Sequence, residues 1–308
     1  MVKNLLNLLV VLTLTGSVFA QQDKLLTHFI YDKMTINPGS TGLEPGICGT
    51  LMYRNQWDKV NGAPNSAVFN VESNMGRWLP INLGLSFFHD AIGFARQNNL
   101  LLNIAYPIPV TIAGGTLSVG LGVGMVNFGM DPTWIPPTNV IDPTLPISTS
   151  ATNVDMNAGV YFRHNQGKWF AGISSTHLSE SELKAVDYKT FRHYNVLGGY
   201  KFIDLFGENR SLDIQAMMRT DFVKLSGDIN VRYIHDKWFY GGLTYRVSDA
   251  VAVMVGIIPI KNFVIGYSYD LTINKLSNIS RGTHEVALRY CYIIPPPPVT
   301  IHRNPRWL

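Results

Sequence analysis

The residues best suited to chemistry are Ser174, Ser175 and His177, because a hydroxyl beside an imidazole is the nucleophile–base half of a hydrolytic triad. The run Gly172-Ile173-Ser174-Ser175-Thr176-His177 alternates as a strand does, so only Ser175 and His177 share a face. No acidic residue is identifiable that would orient the imidazole, and no catalytic role is assigned. Gly120-Leu121-Gly122-Val123-Gly124 has phosphate-cradling glycine spacing, but it lies inside a strand pattern and not at a strand-to-helix turn. The eight histidines, among them His164, His177, His193 and His235, lack metal-ligand spacing, and two cysteines cannot make a thiolate zinc site alone. No cofactor or metal is therefore expected. The net charge of +4 comes from scattered basic residues, which argues against a nucleic-acid partner.

A second set of charges has regular spacing. Arg54, Glu72, Asp155, Arg163, Asp213, Arg219, Asp228, Arg232, Asp270, Glu285 and Arg289 all fall on the polar parity of segments whose other parity is greasy. In Phe263–Leu271 one parity carries Phe, Ile, Tyr, Tyr and Leu, and the other Val, Gly, Ser and Asp; His284–Tyr292 repeats the pattern. Alternation at period two marks a strand. Nine to eleven residues at strand tilt is about the length that crosses a bilayer. A charge facing lipid at mid-membrane costs about 2–4 kcal/mol, so the polar parity must face inward. The expected fold is all-β: a transmembrane, up-and-down antiparallel β-barrel of about 14 strands. Its lumen would hold Arg54, Asp228, Arg232, Asp270, Glu285 and Arg289, cross-braced by ion pairs or wet, and its outer face would meet outer-membrane lipid.

The elements that position these groups follow at nearly even spacing: about 46–55, 66–74, 81–89, 97–106, 116–127, 154–164, 168–176, 193–203, 210–220, 225–235, 237–246, 250–258, 262–271 and 283–293. All the long connections fall at odd positions, as in barrels with short periplasmic turns and longer outer loops. Charged residues are only 15% of the chain, low for a soluble domain. Lys3, the apolar run Leu5–Leu14 and Val18-Phe19-Ala20 form a secretory signal peptide, residues 1–20, cut near Ala20. Residues 21–44 read as a periplasmic leader outside the barrel, 45–293 as the barrel, and 294–308 as a proline-rich tail; both termini are expected in the periplasm. Cys48 and Cys291 fall in the first and last strands, neighbours in a closed barrel. A disulfide between them is open in an oxidising compartment, but two separate lumen or rim thiols is the favoured expectation. Trp57, Trp78, Trp134, Trp169 and Trp238 lie at or beyond strand ends, where interfacial belts place aromatics. Partner binding is the sharper expectation for Asn37 and Pro38 in the leader, Trp57 and Trp134 in long loops, and Arg303, Arg306 and Trp307 in the tail.

Several stretches resemble the PorP/SprF family of Bacteroidota outer-membrane proteins. They are Ile36-Asn37-Pro38-Gly39-Ser40-Thr41-Gly42, Tyr53-Arg54-Asn55-Gln56-Trp57 with Gly62-Ala63-Pro64, and Gly84-Leu85-Ser86 with Asp90-Ala91-Ile92-Gly93. Leu117-Ser118-Val119-Gly120, Gly172–Leu178, Trp238–Arg246, Ile265–Asp270 and Gly282–Glu285 continue the likeness over nearly the whole mature chain. The resemblance implies a non-enzymatic part in the type IX secretion system, sometimes with gliding motility. The partners it implies are the translocon, periplasmic ring or lipoprotein components, and a secreted cargo or adhesin. A passive or substrate-specific channel and an outer-membrane hydrolase are the competing classes.

Overall fold

A computed structural model describes residues 24–76, 78–133, 147–236 and 238–295. The segment expected to be a signal peptide, residues 1–20, and Trp134, Arg303, Arg306 and Trp307 lie outside the described residues. The chain lays down β1 (Ile47–Asn55), β2 (Asn65–Ser73), β3 (Asn82–Ile92), β4 (Ala95–Val110), β5 (Gly115–Met130), β6 (Thr149–His164) and β7 (Trp169–Thr176). A small hairpin, β8 (Glu182–Leu183) and β9 (Tyr188–Lys189), sits in the next loop. Then come β10 (His193–Phe202), β11 (Ser211–Thr220), β12 (Leu225–His235), β13 (Phe239–Arg246), β14 (Ala250–Ile260), β15 (Phe263–Thr272) and β16 (Thr283–Tyr292). All but the hairpin join in one closed antiparallel barrel of fourteen strands, each beside its sequence neighbour, with β1 meeting β16. The strand number and order match the spacing of the apolar alternation. Strands β4, β5 and β6 run longer than expected, because their pairing continues without interruption to Ala95↔Met130 and Met130↔Thr149.

Alternation decides the two faces. In β1, Leu51 and Tyr53 point outward at 47% and 52% exposure, while Met52 and Arg54, which alternate with them, are buried. Leu121, Val123, Ile173, Val196, Leu243, Val253 and Val286 carry the same apolar outer band round the cylinder, as a membrane-spanning barrel requires. Trp78, Trp169 and Trp238 are exposed near strand ends at one rim. The four connections of nine or more residues, 56–64, 131–148, 177–192 and 273–282, all begin and end at the opposite rim. At the short-turn rim no connection exceeds the eight residues of 74–81 and 203–210.

Two expectations are overturned. Cys48 and Cys291 are register partners across the β1–β16 seam and form a disulfide, with Cα atoms 4.0 Å apart. Closure of the barrel brings together thiols separated by 243 positions, well inside the separation of about 7 Å beyond which no bridge can form. The leader is the second correction, because it does not lie outside the barrel. From Lys24 to Leu43 it threads the lumen as a 3-10 turn (Phe29–Tyr31), a four-residue α-helix (Lys33–Ile36) and a second 3-10 turn (Pro38–Ser40). Leu26, Phe29, Ile30, Met34 and Ile36 are each at most 5% exposed. Phe29, Ile30 and Ile36 pack on Tyr161, Leu197, Met217, Tyr240 and Met254, and Leu26 on Met52, Val68, Phe88 and Ala287. Lys24 lies beside Phe88, Asn99 and His177, toward the long-loop rim. The start of the described chain therefore stands within the lumen and not at the short-turn rim.

Candidate functional site

The lumen is built by inward-facing strand side chains and the segment threaded between them. Its upper part is an ionic cluster across the barrel seam. Arg54 of β1 and Glu285 of β16 are register partners, and Arg54 Nη1 lies 2.8 Å from Glu285 Oε2 and 2.8 Å from Asp270 Oδ2 of β15. Both carboxylates also receive the leader. Glu285 accepts from the Thr27 amide at 2.9 Å and the His28 amide at 2.6 Å, and pairs with His28 Nδ1 at 2.8 Å. Asp270 accepts from Thr27 Oγ1 at 2.7 Å. Arg246, absent from the charges singled out in the sequence, pairs with Asp228 at 2.8 Å and reaches Asp270 at 3.5 Å. A buried carboxylate is tolerable where cations and N–H donors surround it, and here they do.

In the middle of the lumen the backbone of the leader touches the barrel wall. The Asn37 side chain accepts from the Gly39 amide at 2.9 Å, an Asx turn before a 3-10 helix. Its amide donates to the paired carbonyls of Val160 at 3.0 Å and Ile173 at 3.1 Å, bridging β6 and β7. Strand glycines make this approach possible: a Cβ on Gly120 would collide with the Pro38–Gly39 backbone, and one on Gly159 with the Asn37 side chain. Gly120→Val is therefore expected to destabilise the seated leader by about 1–3 kcal/mol, the usual cost of overpacking. Protease sensitivity of the leader in detergent-solubilised protein measures it. Gly49→Ala is the control, since nothing lies within 4 Å of the added carbon.

At the short-turn rim the lumen widens into a vestibule of about 540 Å³, floored by leader residues Ile30, Tyr31, Lys33 and Leu43. Three arginines of its lining pair with the lining carboxylates: Arg232 with Asp213 at 2.7 Å, Arg163 with Glu44 at 3.2 Å, and Arg289 with Glu72 at 3.5 Å. Arg232 also donates to the Tyr31 hydroxyl at 2.6 Å. Lys33 Nζ stands 3.8 Å from the centre of the Phe170 ring. Burial pushes the Lys33 ammonium from 10.5 down to about 8, aided by Arg289 and Arg232 and opposed by Asp213 and Glu44. The folded pKa is below the unfolded one, so the folded state is penalised for carrying the cation at and below about pH 8. Retention of the leader should therefore strengthen as pH rises from about 8 to 10.5, and Lys33→Met should flatten that rise, read as leader proteolysis against pH.

The six lumen charges read from the sequence all face inward, five of them buried and Arg289 half-buried on the vestibule. Asn37 and Pro38 are corrected: both are buried in the lumen, where Asn37 serves the chain's own folding, so they present no partner surface. Trp57 is half-buried at the long-loop rim, its amide donating to Thr283 Oγ1 at 3.1 Å. His177 does have an acidic partner, Asp155 Oδ2 at 2.8 Å. Its left-handed backbone (φ 56°) takes it off the strand alternation, so it is buried and the shared face with Ser175 is lost. The inward serine, Ser174, donates instead to the Ile36 carbonyl at 2.6 Å. Among the described residues no group of three His, Cys, Asp or Glu could hold a metal ion. The seat of the leader was signalled by apolar residues on the polar parity, Met52, Val68, Phe88, Leu197, Met217, Tyr240 and Met254, which polar-in alternation does not explain.

No curated protein matches the chain. Among solved structures it is similar to the outer membrane protein Omp33 of Acinetobacter baumannii, at 6% identity and TM-score 0.47, over 82% of this chain and all of that one. It is also similar to the CymD monoaromatic hydrocarbon channel, at 10% identity and TM-score 0.48, over 85% of this chain and 92% of that one. CdiB from Acinetobacter baumannii matches at 8% identity and TM-score 0.38, over 81% of this chain and 60% of that one. The family model for the type IX secretion system membrane protein PorP/SprF matches residues 18–290. A match of that extent, on a closed fourteen-strand barrel, means that the chain belongs to the PorP/SprF family of type IX secretion system membrane proteins.

Proposed function

We propose that this protein is a non-enzymatic accessory component of the type IX secretion system, set in outer-membrane lipid and acting by binding. The short-turn rim and the tail after Pro295 face the periplasm and meet machine components. The long loops face outward and meet a particular secreted cargo or adhesin. The observation that carries this reading is the lumen packed with the protein's own leader, from Lys24 to Leu43. A barrel closed from within is suited to holding partners at its rims. The loop 177–192 supports an outer docking role, because it is built and not loose: Tyr188 stacks on Phe128 with ring centres 3.9 Å apart and donates to Gln97 at 2.8 Å.

Deletion of the gene tests the proposal. Secretion or surface retention of one defined protein should be lost, while solute uptake is unchanged. Normal secretion of every cargo with lost uptake of a solute would replace the accessory role with the channel.

A further inference from the structure

We infer that the vestibule at the short-turn rim is a binding site for an acidic peptide segment presented from the aqueous side of that rim. The inference rests on the docking reading for the partner's place in the cell, and on the geometry alone for the binding.

Six basic side chains line the cavity, Lys33, Arg163, Lys168, Lys201, Arg232 and Arg289, against three carboxylates. The three arginines pair with the three carboxylates, so by formal charge the lining as a whole is positive. A low-dielectric wall of strands concentrates the field of such an excess inside the cavity. About 540 Å³ is within the range of about 300–1,000 Å³ found for ligand sites. The lining also offers Tyr31, Tyr161 and Phe170, so an occupant needs aromatic or aliphatic side chains beside its carboxylates. Lys33 over the Phe170 ring marks where a carboxylate and an apolar group would sit side by side.

The route of access selects a peptide from a soluble partner. The cavity is bounded by the turn residues Gln166, Gly167 and Lys168, by Ile203 and Asn262, and by Ile293 beyond the last strand. It opens between turns at the rim and is floored by the leader, so an occupant enters from water and stops there. Within the chain itself, residues 296–308 bring Arg303 and Arg306, the wrong sign for this lining.

The test uses the full mature protein in detergent or nanodiscs and a fluorescein-labelled peptide of alternating glutamate and phenylalanine. Binding should be saturable and should weaken steeply with added salt. The glutamine counterpart of the peptide should bind at least tenfold more weakly. Lys33→Gln combined with Lys168→Gln and Lys201→Gln should weaken the glutamate peptide at least tenfold. The rim pair Lys168→Gln and Lys201→Gln, which leaves the leader untouched, should weaken it severalfold. Equal binding of the two peptides, or unaltered binding by the folded variants, overturns the site. Displacement by inorganic phosphate or citrate at the same concentration as the peptide overturns the peptide assignment, making the vestibule a general anion site. The same variants tested for secretion separate the two proposals. Lost peptide binding with normal secretion removes the docking role at this rim and leaves the site standing. An unbound peptide with a secretion defect on gene deletion removes the site and leaves the accessory role standing.

Discussion

Replacing residues 24–43 with a flexible Gly-Ser segment of equal length should turn a closed barrel into a conducting pore. Barrel diameter grows with strand number: about eight strands are filled by their own side chains, and sixteen to eighteen leave a water channel. Fourteen strands fall nearer the second case, and here the surplus space is taken by the leader. Its removal exposes a lumen lined by charges of both signs, including Arg54, Arg232, Asp213 and Asp270, so the pore should conduct with weak ion selectivity. The barrel should survive, because the backbone hydrogen bonds of its closed sheet do not pass through the leader. Planar-bilayer recording should show steady single-channel steps for the variant and none for the intact protein, while heat-dependent gel mobility confirms that both are folded. Equal conductance of the two would mean that the leader does not close the lumen.

Arg54→Met is expected to destabilise the protein by about 3–5 kcal/mol, the range seen when one partner of a buried ion pair is removed. The substituted side chain fits the space, but Glu285 and Asp270 would be left with less compensation inside a buried cluster. Arg54 is 2% exposed, Asp270 1% and Glu285 0%. The loss should appear as a lower thermal midpoint and as protease cleavage of the leader, because the two carboxylates that lose Arg54 are those that hold Thr27 and His28. Arg163→Met is the internal comparison. Its pair with Glu44 is 29% and 45% exposed, and exposed pairs contribute about 0–1 kcal/mol. Similar losses from the two variants would show that the seam cluster is no more than a surface pair in its energetics.

The barrel was legible because its information is local. A strand's two faces are separated at every second residue, so Arg54, Asp228, Arg232, Asp270, Glu285 and Arg289 declare their direction within their own segments. The lengths of 56–64, 131–148, 177–192 and 273–282 likewise sort the connections by rim without any knowledge of contacts.

What tertiary structure decided is everything that depends on closure. Met52, Val68, Phe88, Leu197, Met217, Tyr240 and Met254 are isolated apolar residues on polar faces of seven strands, and only the closed cylinder gathers them into a seat. Nothing within residues 24–43 names the surface they meet, since Leu26, Phe29, Ile30 and Ile36 are buried chiefly against strands remote in sequence. The disulfide of Cys48 and Cys291, the burial of Asn37 and the pairing of His177 with Asp155 belong to the same class. Alternation reports which way a side chain points, whereas what it touches is settled by the geometry of ring closure.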